Sequence, residues 1–287
     1  MKVREFSLLD ELGNEYSLMD IDNYCLLTEP NGLGYAYNTE YEQVGDTFVT
    51  NLRKIGQGQI NGTLNFLTYD NYKALVDFLE RASALKFKYV IPYKNGTKTF
   101  YKDINIASFE KSEIQPNGII SEPISFDGLS LWYSPNTATF DMGATGDEIR
   151  WDFRWDSRFS DKSDRTINFV NEGQSEARVK IEIDGECVQP VIKLDIDGET
   201  YQEIDINTTI EEGEKLIYSS VENEFEISRL NTNGTKSNLF NTSYLNPTQN
   251  LCIKLPQNKN CSLTLTTLLG TDVPSGTITI YEYYKAV

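Results

Sequence analysis

The 287-residue sequence contains no histidine, which removes the side chain that carries most proton transfer near neutral pH and much zinc, copper and iron ligation. Hydrolases built on a histidine base are thereby excluded. Cysteine is sparse: Cys25, Cys187, Cys252 and Cys261 lack the two-residue gap of a metal knuckle or redox motif and read as reduced, semi-buried thiols. No apolar run is long enough to span a bilayer. None follows Met1 with a cleavage site behind it either, so a chain made and used in cytoplasm is expected. Basic residues are few, 26 against 43 acidic, and a net charge of −17 repels phosphate backbones and anionic head groups. Neither nucleic acid nor a membrane is an expected partner.

What is present describes a folded protein of ordinary composition, 39% apolar, 24% charged and 12% aromatic, long enough for about two domains. Both parts are acidic, with 12 basic against 18 acidic residues up to residue 140 and 14 against 25 beyond it. The expected class is mainly β: an α+β amino-terminal domain with one helix, then an antiparallel β-sandwich. The helix is predicted from about Asp70 to Ser83, because Tyr72, Leu75, Val76 and Leu79 make one apolar stripe that Phe78 widens; Thr68 is its cap. Strands are predicted around it at 62–66, 85–91, 98–106, 119–127 and 130–133, with Asn95-Gly96 as a hairpin turn.

A polar stretch from Ser134 to Gly146 marks the start of a boundary, giving domains at 1–140 and 171–287 joined by a segment at 141–170. Within that segment Trp151 to Trp155 reads either as a strand lying between the domains or as an ordinary strand of the second. From Ala177 onward the alternation is clean, as in Ala177, Val179, Ile181 and Ile183 against Arg178, Lys180 and Glu182. Eight short strands in about 110 residues are expected, including one through Leu251, Ile253 and Leu255. Two stacked sheets are the stable way to bury them.

Chemistry is harder to find. Asp195, Asp197 and Glu199 around Gly198 suggest a calcium loop only faintly, lacking its third acid and downstream glutamate, and a hairpin turn explains them better. Gly32-Leu33-Gly34 and Gly56-Gln57-Gly58 lack the further glycine and helix of a phosphate loop. No catalytic residue, cofactor site or metal site is assigned. The more informative stretch is Tyr35 to Val49, where Tyr35, Tyr37, Tyr41, Val44 and Phe48 punctuate a run without helical period. It reads as a hairpin whose aromatic face is covered either by a neighbouring copy, as an oligomer interface, or by its own domain.

One set of residues, in order, carries a resemblance. Phe6-Ser7-Leu8-Leu9-Asp10 through Tyr16-Ser17-Leu18, then Asn31 to Tyr35, Ile60 to Phe66 leading into Tyr69-Asp70-Asn71-Tyr72, Leu85 to Tyr89, Phe100 to Asp103, Lys111 to Ile114 and Ser130 to Tyr133 resemble the amino-terminal domain of siphophage distal tail proteins. Asp184-Gly185-Glu186, Gln189 to Ile192 and Tyr281 to Val287 resemble the galectin-like β-sandwich those proteins carry behind it. The resemblance implies a structural virion component and no enzyme. It implies a homo-oligomeric ring, commonly a hexamer, at the phage tail tip, assembled in the host cytoplasm. The ring's partners would be the tail tube protein, a tail-tip or tail-associated lysin protein and the receptor-binding protein. A carbohydrate-binding adhesin is the alternative, and a carboxylate glycosidase a more distant one.

Overall fold

In the computed structural model, residues 4–20, 25–93, 96–140, 165–241, 244–245, 250–267 and 275–287 are described. The segment expected to connect the domains falls largely outside them, as do Trp151 to Trp155 and Asn95. The described residues are dominated by antiparallel strands with one helix, as the alternation predicts. They divide into two compact units, Met1–Ser134 with Tyr284–Val287, and Pro135–Tyr283.

The first unit is organised by one long strand, Gly96–Phe109. Its first part pairs with Leu85–Tyr93, from Tyr93↔Gly96 to Leu85↔Ile104. Its last part pairs with Ile120–Gly128 across a bulge at Ser125/Phe126. From the first branch hydrogen bonding continues to Glu5–Leu9 and Glu15–Ser17; from the second it continues to Gln59–Phe66, Cys25–Asn31 and Met19–Asp20. Period-two alternation turns Phe6, Leu8, Leu64, Phe66, Phe87, Phe100 and Phe126 inward around the buried Trp132. The rings meet at tilted and edge angles, Phe87–Phe126 at 5.6 Å and Phe87–Trp132 at 6.1 Å, the geometry aromatic quadrupoles favour.

The helix spans Tyr69–Arg81, and Thr68 caps it by accepting from the Asn71 amide at 3.2 Å. Its stripe sinks Leu75 and Phe78 into this core, and Tyr72 sets its ring edge against Phe66 at 5.7 Å. Gly32 is required where the chain leaves the Cys25–Asn31 strand. It has φ +82°, and a Cβ there would fall 1.7 Å from the Gln59 carbonyl oxygen.

The second unit is two antiparallel sheets. One orders Arg165–Val170, Asn260–Thr267, Pro190–Ile196 and Glu199–Asp205; the other runs Lys236–Asn238, Glu226–Leu230, Lys215–Ser219, Arg178–Asp184 and Gly276–Tyr284. Val179, Ile181, Ile183, Ile192, Leu194, Leu263, Leu265 and Ile278 fill the space between them. The segment through Leu251, Ile253 and Leu255 departs from the sequence reading. It is not a strand, although Ile253 and Leu255 are fully buried. Its backbone is satisfied instead by the Tyr218 hydroxyl, which donates to the Leu251 carbonyl and accepts from the Ile253 amide, both at 2.9 Å, and by a single antiparallel bridge between Leu255 and Ala177.

Candidate functional site

The strands Tyr37–Val44 and Thr47–Ile55 form a two-stranded sheet of their own, joined by a turn in which Gly45 has φ +64°. The turn is closed by the Thr47 hydroxyl, which donates to the Val44 carbonyl at 3.0 Å, and by the Gln43 side chain, which donates to the Gly45 carbonyl at 3.0 Å. Pairing runs from Val44↔Thr47 to Tyr37↔Ile55, with an irregularity at Glu40/Tyr41. All residues of this hairpin except Thr39 are exposed, Tyr41 retaining 64% and Phe48 70% of its surface. A lone two-stranded ribbon is marginal in water, and apolar groups on both of its faces find no cover among the described residues.

Cross-strand partners share a face, so the register sorts the candidate residues. Tyr37 with Ile55, Tyr41 with Thr50, and Gln43 with Phe48 make the aromatic face. Val44 lies on the other face with Val49 and Leu52. Tyr35 precedes the strand and sets its ring edge on Tyr37 at 5.3 Å, while the Arg53 guanidinium lies 3.8 Å from the Tyr37 ring centre. Tyr35, Tyr37, Tyr41 and Phe48 are thus associated by the hairpin and Val44 is turned away from them; Val49, which ends the stretch read from the sequence, and Leu52 and Ile55 beyond it are further exposed apolar residues. Their three-residue spacing, broken by the irregularity at Glu40/Tyr41, is no strand period, so alternation in the sequence does not point to them.

The hairpin springs from a tight root. The Gly56 amide donates to the Ala36 carbonyl at 2.8 Å, the Gly128 amide to the Gly58 carbonyl at 2.7 Å, and Gln57 Nε2 to the Gly128 carbonyl at 3.2 Å. Gly56-Gln57-Gly58 is therefore a strap bonded to its neighbours. Beside it lies Lys102, which is 5% exposed and whose Nζ is 5.4 Å from the Trp132 ring centre. Burial pushes its pKa down to about 8, Asp103 opposing weakly. Burial also raises the pKa of the Tyr16 and Tyr218 hydroxyls strongly, and three thiols sit in apolar surroundings. Burial pushes Cys25 up to about 12 and Cys187 and Cys261 up to about 11, so these three are inert.

The other motifs are structural. Asp197 and Gly198 form the positive-φ turn between Ile196 and Glu199, and the Asp197 carboxylate accepts from Lys259 at 2.6 Å, which holds its pKa down. Among the described residues no cluster of acidic or cysteine side chains is arranged to hold a metal ion, and no helix is long and apolar enough to cross a membrane.

Residues 5–129, which contain the hairpin, its root and the helix, match the family model of the distal tail protein, N-terminal domain. This segment is similar to that family. Curated relatives carry the same description. Distal tail proteins of Lactococcus phage SK1 and Lactococcus phage p2 are 29% and 28% identical to the chain over 153 residues. In each case the match covers 51% of this chain and 51% of the relative, so the chain spans about half the length of the curated relatives it matches. With solved structures the likeness is one of fold. A chain in the structure of the phage P2 baseplate in its activated conformation with Ca superposes with a TM-score of 0.65 at 16% identity, with full coverage of both chains. SPP1 Dit, titled a paradigm of hub adsorption apparatus in Gram-positive infecting phages, superposes with a TM-score of 0.57 at 14% identity, covering 98% of this chain and 99% of that one.

Proposed function

We propose that this chain is a structural component of a phage tail tip, a distal tail protein that assembles with copies of itself into a ring, commonly a hexamer in such proteins. In the virion the ring joins the tail tube protein on one side to a tail-tip or tail-associated lysin protein and a receptor-binding protein on the other. The carrying observation is the hairpin: a distal tail domain that holds a ribbon of exposed tyrosine, phenylalanine, valine and leucine away from its core has an interface still to be filled. A ring needs one patch on each copy to meet a different patch on the next, and a projecting ribbon supplies the donor half of such a contact. In this reading residues 1–140 form the ring, 171–287 form the outward sandwich and 141–170 connect them, and the protein binds no cofactor and catalyses no reaction.

The adhesin alternative has less support, because the one described tryptophan, Trp132, is buried and offers no stacking face to a sugar. Light scattering on a size-exclusion column, with electron microscopy of the eluted particles, tests the proposal. Wild type is expected as a closed ring, and Tyr41→Ser with Phe48→Ser as a folded monomer. A wild type that stays monomeric at every concentration overturns it.

A further inference from the structure

Buried cations in proteins are paired, because an ammonium withdrawn from water without an anion costs several kcal/mol. Lys102 departs from this rule in part: the residue is 5% exposed, its amine keeps some contact with solvent, and the one charge that acts on it, Asp103, opposes the desolvation only weakly. The setting looks built. The stem passes over Gly128, where a Cβ would come within 2.3 Å of Lys102 Cε. At the other glycine of the root, a Cβ built on Gly58 would meet Lys102 Nζ at 3.8 Å as its only neighbour within 4 Å. One glycine lets the stem through and the other leaves room at the charged end, against the face of Trp132.

We propose that Lys102 is a receiving point for a carboxylate carried by a second copy of this chain, namely one from the hairpin tip, Glu42 or Asp46. The proposal rests on the ring reading and names a polar anchor within it. A single ammonium with limited access to solvent suits one carboxylate, and a net charge of −17 disfavours free polyanions while leaving protein carboxylates that arrive already held by apolar contacts. The tip acids of the same hairpin are out of range. From Ile55 to Thr47 the strand extends about 27 Å, at roughly 3.4 Å per residue, so its tip lies far from its own root. In a head-to-tail contact the tip of one copy meets a different surface of the next, and the root beside Lys102 is continuous with the same ribbon.

The test is a double-mutant cycle on assembly of the full chain, using Lys102→Met, the pair Glu42→Gln with Asp46→Asn, and all three together. Subunit dissociation is followed by analytical ultracentrifugation, with urea melts of each variant at concentrations where it is monomeric. Each arm is expected to raise the dissociation concentration by roughly tenfold or more, and the triple variant is expected to be little worse than either arm, the signature of a coupled charge pair. Lys102→Met should at the same time leave the monomer as stable as wild type or more so, which separates lost recognition from lost folding. Assembly of Lys102→Met at the wild-type concentration, or additive effects in the triple variant, overturns the proposal and leaves the ring intact. A wild type that never assembles removes the ring reading and this inference with it.

Discussion

A lysine amine beneath a hairpin root makes stability depend on pH in a direction that can be worked out. The folded pKa of Lys102 is lowered from 10.5 to about 8, so between those values the unfolded chain holds a proton that the folded chain has released. Stability contributed by this group therefore rises with pH across that window, and below it the cost of burying the ammonium is present in full. The buried thiols of Cys25, Cys187 and Cys261 act oppositely, since their raised pKa values favour the folded state less as the unfolded thiols ionise. The measurement is thus a difference. Urea melts of the monomeric chain are expected to show Lys102→Met more stable than wild type by about 1–2 kcal/mol at pH 7, the gap closing between pH about 8 and about 10. A gap that stays constant across that range would contradict the assignment. Lys102 was readable only in part. It occupies an inward slot in the alternation of Phe100, Lys102 and Ile104, but a charge there is ordinarily assigned to the wet face, and the glycines that accommodate it are distant in sequence.

At the level of elements, the helix was legible because its stripe, its cap and its end agree locally. Removing the cap tests that agreement: Thr68→Ala leaves the Asn71 amide without its acceptor and should cost about 1 kcal/mol in a thermal or chemical melt, with secondary structure otherwise unchanged. The strands of the second unit were legible for the same reason, since Val179, Ile181 and Ile183 alternate with polar neighbours over a full strand. Leu251 to Leu255 misled because its backbone is served by the Tyr218 hydroxyl and one isolated bridge at Leu255 rather than by a continuous ladder, and periodicity does not reveal which group takes the backbone hydrogen bonds. The hairpin was half legible. Period two and Gly45 mark a ribbon, but the same pattern fits a ribbon covered by its own domain, and only the register shows Tyr41 and Phe48 on one face with Val44 on the other.

Across the whole molecule, the contacts least visible in the sequence are those made by Tyr284–Val287, which cluster with the first unit although nearly three hundred positions separate them from its start. Tyr284 sets its ring edge on Phe100 at 5.1 Å and its hydroxyl pairs with Lys98 Nζ at 2.6 Å, while the Val287 amide donates to the Leu33 carbonyl at 3.4 Å. Nothing local in Tyr281 to Val287 announces this return, since its residues suit an end strand of either unit. Removing 284–287 is therefore expected to lower the melting transition of the first unit while that of the second changes little, a separation readable by calorimetry or by hydrogen exchange. Equal losses in both would show that the segment belongs to neither in particular.

That return path also sets an order of events during synthesis. A nascent chain still emerging from the ribosome short of Tyr284 has made the projecting ribbon but has not yet closed the fold that carries it. Truncated products would thus enter the pool of subunits with a loosened base beneath their adhesive arm, so premature termination is the kind of error this chain has a built-in means of exposing to proteolysis.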